Sequence, residues 1–191
     1  MKIDLVILAA GYARRFQGNK LLHVWQGKPI LAHVMDTCQQ VDFHAIHVVS
    51  QYEEVLALAH TRGMHAVKND HPQKGMSSSL QLGQKAAKDA DAIVFLTGDM
   101  PKIKAETLQK LCHMADAQHI ICAAVHGAIR NPMLFPSCWF SEFDSLVHEE
   151  GVKTMAMRHQ EACILMEVNE AEVQDIDTRE DLQQFDNAIG G

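Results

Sequence analysis

The sequence predicts an α/β fold of three layers, α/β/α, on a mostly parallel, Rossmann-like sheet. Two observations carry this. Short apolar runs alternate with segments of helical periodicity through the first two-thirds of the chain, and such alternation builds right-handed βαβ units whose helices cover both sheet faces. The opening run, MKIDLVIL, is rich in branched residues, as strands buried on both faces are.

The elements follow in order. Met1 to Leu8 is the first strand, ended by Ala9-Ala10-Gly11. Lys28-Pro29 precedes a helix marked by Ile30, Leu31, Val34, Met35 and Cys38, with proline near its first turn. His44 to Ser50 reads as the second strand and Glu53 to Arg62 as the second helix, with Gly63 placed to cap it. His65 to Lys68 is a third strand, and Asn69-Asp70-His71-Pro72 is turn chemistry.

Ser77, Ser78 and Ser79 open a helix over Leu80 to Ala87, where their hydroxyls can cap its first turn. Ala92 to Thr97 is the most hydrophobic strand, hence the sheet centre, and ends in Gly98-Asp99-Met100-Pro101. Lys104 to Ala115 is helical and Ile120 to Val125 a strand. Gly127 to Pro132 reads as a loop, and Met133 to Phe135 as a short, antiparallel edge strand. Ser137 to Val147 and Val152 to His159 read as helices and Cys163 to Val168 as a strand. Val173 to Thr178 is extended, with Thr178 capping a last helix and Glu180 near the third position of a capping box.

The chain has 191 residues, the size of one domain, 1–191. Lys and Arg total 17 against 24 Asp and Glu, a formal charge of -7, which argues against coating nucleic acid or an anionic membrane. No apolar run reaches membrane-spanning length, so the expected location is cytoplasmic. Cys38, Cys112, Cys122, Cys138 and Cys163 form no C-x-x-C pair, and the histidines lack the i, i+4 spacing of a helical metal site, so neither a zinc site nor a disulfide framework is expected.

Chemistry concentrates where the strands end. Ala9, Ala10 and Gly11 let backbone N–H groups approach an anion, and Arg14, Arg15 and Lys20 can neutralise a polyphosphate. Neither G-x-x-x-x-G-K-[ST] nor G-x-G-x-x-G occurs, which leaves a P-loop NTPase or a dinucleotide-dependent oxidoreductase unsupported. Asp99 follows the central strand, where its carboxylate would face the same crevice. A carboxylate in a polyphosphate site calls for a hard cation such as Mg²⁺ between the two.

Leu8-Ala9-Ala10-Gly11, Arg15, Lys20, Leu21-Leu22 and Gly27-Lys28-Pro29-Ile30-Leu31 resemble the signature of MobA-like nucleotidyltransferases. Asn69 with Gly75-Met76-Ser77-Ser78-Ser79-Leu80, then Thr97-Gly98-Asp99-Met100-Pro101, then Asp175 to Leu182, resemble the later family blocks in order. The Leu-Ala-Ala-Gly form and the serine block are closest to molybdenum cofactor cytidylyltransferases. Three departures stand out: Gln17 where the family has glycine, Arg130-Asn131-Pro132 for Gly-His-Pro, and Gly151-Val152-Lys153-Thr154 for Gly-Asp-Lys-Gly.

The resemblance implies a fold of the nucleotide-diphospho-sugar transferase type, with CTP as donor, Mg²⁺ as cofactor and molybdopterin, in its molybdenum-loaded form, as acceptor. A client molybdoenzyme would receive the product. Carried over by position, Arg15, Lys20 and Asp99 are catalytic. Leu8, Ala9, Ala10, Gly11, Lys20, Asn69, Gly75 and Ser79 bind the nucleotide. Asp99 and Asp177 hold metal, with Asp175 the weaker candidate, and Arg130 and Asn131 meet the acceptor. The alternatives are another phosphorylated acceptor, such as a sugar or alditol phosphate, or a non-catalytic chaperone for the finished cofactor.

Overall fold

The computed structural model describes residues 1–11, 19–178 and 180–182. Strand β1 (Ile3–Leu8) leads to a 3₁₀ turn at Lys20–Leu22 and to a small ribbon of β2 (Val24–Trp25) and β3 (Lys28–Pro29). Then come α1 (Ile30–Cys38), β4 (Ala45–Ser50), α2 (Glu53–Thr61), β5 (His65–Lys68), α3 (Met76–Ala86), β6 (Ala92–Thr97) and α4 (Ala105–His113). The hairpin β7 (Ile120–Val125) and β8 (Ala128–Pro136), a 3₁₀ stretch Ser137–Ser145, α5 (Val152–Arg158) and β9 (Cys163–Glu167) follow.

The main sheet runs β5-β4-β1-β6-β8-β7-β9. β5, β4, β1 and β6 are mutually parallel, with Leu8 opposite Val49 on one side and Thr97 on the other. The chain winds outward from β1 to β4 and β5, then returns to β6 across β1. Strand order therefore reverses between β1 and β6, and the loops leaving their carboxyl ends part at that point. β6 is the central strand, as its apolar run predicts.

Each strand divides its side chains between two cores with a period of two. Leu5, Ile7, Val94 and Leu96 face α1, α2 and α4 through Leu31, Val34, Met35, Val55, Ala59, Leu108 and Leu111. Val6, Ile93 and Phe95 face α3, the 3₁₀ stretch and α5 through Leu80, Phe143, Val152 and Met155. Phe95, Phe135 and Phe143 meet with ring centroids 5.0 to 6.1 Å apart.

The element ends have local causes. α2 stops in a Schellman motif: Gly63, at φ 70°, donates to the His60 carbonyl, and Met64 donates to that of Ala59. The β2–β3 ribbon, which the sequence pattern does not reveal, turns through Gln26 and Gly27 at φ 47° and 83°. Both positive values match a type I′ hairpin turn.

Four expectations change. The polar stretch Gly127 to Pro132 is not a loop; Ala128–Pro136 is one strand. Nor is that strand an edge: β8 is antiparallel and lies between β6 and β7. Its register against β7 shifts between Cys122 and Ala123, which bulges Asn131 and Pro132 out of the ladder. The serines do not cap α3. Gly75 is its N-cap, while Ser77 donates to the Lys74 carbonyl and Ser78 to those of Gly75 and His71. Finally, Asp181 rather than Glu180 completes the box at Thr178: its carboxylate accepts from the Thr178 amide, and its own amide donates to Thr178 Oγ1.

Gly83 packs α3 onto β1 so closely that a Cβ would collide with the stiff side chain of Val6. Alanine gains about 1 kcal/mol of helix propensity over glycine, whereas overpacking a core costs about 1–3 kcal/mol. Gly83→Ala should therefore unfold at lower urea concentration than the wild type, despite the better helix former.

Candidate active site

The loops that part at β1 and β6 enclose a cavity of about 180 Å³. Its walls are Leu8, Ala10 and Gly11 after β1, Lys20 and Leu21 of the 3₁₀ turn, Pro72, Gly75, Met76 and Ser79 around the start of α3, Thr97 and Asp99 after β6, and Glu149. The backbone of the first loop is held from both sides. Ser50 Oγ donates to the Ala9 carbonyl at 2.8 Å, Gln51 Nε2 to that of Ala10 at 2.8 Å, and the Gly98 amide to that of Leu8 at 3.0 Å. A Cβ on Gly11, which lines the cavity, would meet no described atom within 4 Å.

Asn69 does not reach the cavity. It is 2% exposed, its Nδ2 donates to Ser78 Oγ at 3.0 Å and Ser79 Oγ at 2.9 Å, and its Oδ1 accepts from the His71 amide. Its part is to fix Ser79, which does line the wall. Ala9, 1% exposed, likewise lies behind the lining. Gly75 has φ 84° and ψ -169°, a conformation open essentially to glycine alone, and a Cβ there would strike the His148 carbonyl. That carbonyl accepts from the Ser77 amide at 3.0 Å. The close approach seats the turn that brings Glu149 to the cavity.

Lys20 is the hub of the charges. Its Nζ lies 2.8 Å from Asp99 Oδ2 and 2.9 Å from Asp177 Oδ1. Burial lowers the pKa of this ammonium, but Asp99, by charge and hydrogen bond, and then Asp177 more than offset it, so the group titrates above the ordinary lysine value. Asp177 arrives from the far end of the sequence. Ile176 is fully buried with Trp25, Ile30 and Leu182, and its amide donates to the Asp99 carbonyl at 3.0 Å. Asp175 and Asp177, on either side of it, stay exposed.

A second cavity of about 160 Å³ lies alongside, lined by Ile129, Arg130, Asn131, Met133, Lys153, Val173 and Asp175. Asp175 is pushed up to about 7, first by burial and then by the charges of Asp99 and Asp177, against the pull of Lys20 and Arg130. Since the residue keeps an exposed face, the firmer cause is the pair of carboxylates beside it.

Among the described residues four buried side-chain atoms have no hydrogen-bond partner: Asn19 Nδ2, Thr97 Oγ1, Asp99 Oδ1 and Asn131 Oδ1. Such atoms are costly unless a ligand uses them. Among the described residues no three His, Cys, Asp or Glu side chains form a group that could hold a metal ion. Two carboxylates suffice for Mg²⁺, however, since it completes its shell with water and substrate oxygens. Asp99, with its unpartnered buried oxygen, and Asp177 fit that requirement.

Of the residues singled out by sequence, Leu8, Ala10, Gly11, Lys20, Gly75, Ser79 and Asp99 share one cavity, and Asp177 joins through Lys20. Arg130 and Asn131 line the other, from a strand rather than a loop. Arg15 lies outside the described residues. Thr97, Glu149 and Lys153 were not assigned as site residues; Thr97 carried a signal as the polar end of the most apolar strand, Lys153 one in the block Gly151 to Thr154, and Glu149 none.

Residues 5–163 match the MobA-like NTP transferase domain. The bifunctional protein GlmU of Legionella pneumophila subsp. pneumophila (strain Philadelphia 1) is 31% identical over 139 residues, 69% of this chain and 30% of that protein. The chain thus spans less than a third of the length of that relative. A nucleotidyl transferase from Methanothermobacter thermautotroptrophicus superposes with a TM-score of 0.85 at 20% identity, covering 98% of this chain and 97% of that one. Rv0371c of Mycobacterium tuberculosis H37Rv, solved in complex with manganese, gives 0.81 at 22% identity over 96% of this chain and 97% of its own. Both likenesses are of fold.

Asp175 has a direct consequence for stability. Its folded value lies above the ordinary 3.8, so its stabilising contribution is complete below 3.8 and is lost as pH rises toward about 7. In metal-free buffer, Tm followed by circular dichroism should fall less across that window for Asp175→Asn than for the wild type. Equal slopes would assign the pH dependence to another group.

Proposed function

Because the chain belongs to the MobA-like NTP transferase family, we propose that it transfers CMP from CTP to a phosphorylated acceptor, molybdopterin in its molybdenum-loaded form, and releases pyrophosphate. Nucleotidyl transfer follows from the family. The observation that supports this cavity as its site is Lys20 set between Asp99 and Asp177 on a wall opened by Ala10 and Gly11. The choice of CTP rests on Ala10 and the Gly75-to-Leu80 block, which resemble the cytidylyl branch.

An acceptor phosphate oxygen attacks the α-phosphorus in line; the new P–O bond forms as the bond to the β-phosphate bridging oxygen breaks. Charge gathers on the α-phosphate and the leaving pyrophosphate, so positioning and neutralisation are what the protein contributes. Lys20 supplies a cation to the phosphates, Arg15 does so by its place in the family signature, and the Ala10 and Gly11 amides cradle them. Mg²⁺ held by Asp99 and Asp177 would supply further neutralisation when bound. Ser79, fixed by Asn69, and the Gly75 backbone lie on the wall left for ribose and base. Arg130 and Lys153 give the neighbouring cavity two cations for the acceptor phosphate, and the unpartnered Asn131 Oδ1 offers it an acceptor atom.

A sugar or alditol phosphate is the second reading. It is favoured by the described residues that line that cavity, which are polar, charged or aliphatic, and by the departures at Arg130-Asn131-Pro132 and Gly151-Val152-Lys153-Thr154.

Pyrophosphate release in the presence of Mg²⁺, with each of the four NTPs and with molybdopterin, a sugar phosphate or an alditol phosphate, tests both. CTP with molybdopterin should turn over fastest, and Asp99→Ala and Lys20→Ala should each lower kcat by roughly 10²–10³-fold. GTP preference would overturn the cytidine assignment. Turnover with a sugar or alditol phosphate alone would establish the second reading, and none with any pair would leave a carrier of the finished cofactor.

A further inference from the structure

Lys20 does more in this geometry than wait for phosphates. Its ammonium contacts both carboxylates, at 2.8 Å from Asp99 Oδ2 and 2.9 Å from Asp177 Oδ1. Its side chain is only 15% exposed. A divalent cation bridging the same carboxylates would have to occupy the same space. We propose that Lys20 is an internal counter-ion that takes the place of the metal between Asp99 and Asp177 when no nucleotide is bound, so that metal and nucleotide bind together and metal alone binds poorly. The proposal rests on the reading of Asp99 and Asp177 as metal ligands.

The backbone around Lys20 is anchored. Asn19 Oδ1 accepts from the Leu21 amide at 3.1 Å, and Leu21 is buried in the core beneath β1. The four-carbon stem is free to swing, as lysine stems are. Without nucleotide, an entering dication must displace the ammonium and leave it beside a double positive charge, with no phosphate to receive it. Repulsion at this range in a partly buried site weakens binding. With a triphosphate in the cavity, Lys20 exchanges its two carboxylates for phosphate oxygens, and the carboxylates are released to the metal. Coupling of this kind is reciprocal, so nucleotide also binds more tightly when the metal is present.

Asp99 and Asp177 would otherwise repel each other. Both are carried on backbone held together by the bond from the Ile176 amide to the Asp99 carbonyl. The lysine thus also holds the acidic pair in place before any ligand arrives.

Mn²⁺ is the probe, with free metal counted by electron paramagnetic resonance in the absence of nucleotide. Lys20→Met keeps the stem and removes the charge; it should bind Mn²⁺ about tenfold or more tightly than the wild type, given the size of one unscreened charge at this range. Lys20→Arg keeps the charge and should stay as weak as the wild type. Adding CTP with a methylene in place of its α,β-bridging oxygen should tighten Mn²⁺ on the wild type by a similar factor, and less on Lys20→Met. Thermal unfolding confirms that each variant is folded. Equal Mn²⁺ affinity for wild type and Lys20→Met, abolished in both by Asp99→Asn, would overturn the counter-ion and leave the metal site standing. No effect of Asp99→Asn on any of these, with or without the CTP analogue, would overturn the metal site itself.

Discussion

The site exists because β1 and β6 are adjacent and parallel while their connections leave in opposite directions. With Leu8 opposite Thr97, the two loops begin at the same height and cannot close over each other. Lys20 and Asp99 can therefore meet at 2.8 Å although they lie far apart in sequence. The rest of the scaffold serves that gap: Ser50 and Gln51 fasten the carbonyls of Ala9 and Ala10, and Asn69 fastens the serine at the opposite wall.

Around the gap the chain gathers like charges that an unliganded protein would separate. Burial, and then the charges of Asp99 and Asp177, raise Asp175 toward neutrality, and Lys20 is shared between the other two. Among the described residues Asp99 Oδ1 and Thr97 Oγ1 find no partner. Folding tolerates such an arrangement where a ligand resolves it, and unsatisfied groups converging on one cavity are what distinguish a working surface from a packed core.

The strands of the parallel half and the central place of β6 were legible because burial on both faces writes itself as continuous apolar runs, as in Ala92 to Thr97. The helix ends were legible where backbone conformation demands a residue type, as at Gly63. β8 was not, because Arg130, Asn131 and Pro132 carry loop chemistry, and only a bulge opposite β7 lets a strand accommodate them. Which residues would gather where β1 and β6 end was legible, but their orientation was not. Whether Asn69 faces ligand or props Ser79 depends on the side-chain partners that it finds ten residues on. Which of Asp175 and Asp177 reaches Lys20 is decided by Ile176, whose burial against Trp25 and Ile30 depends on a ribbon too short to leave a pattern.

That small third core has a consequence for modularity. The family match spans 5–163, yet the segment fixed by Ile176 lies past that limit and supplies two of the three clustered carboxylates. The matched span and the cluster of carboxylates around Lys20 therefore have different boundaries. A fusion or recombination joint placed at the edge of the match would transplant the Ala10–Gly11 loop, Lys20 and Asp99 while leaving Asp177, Lys20's second partner, behind.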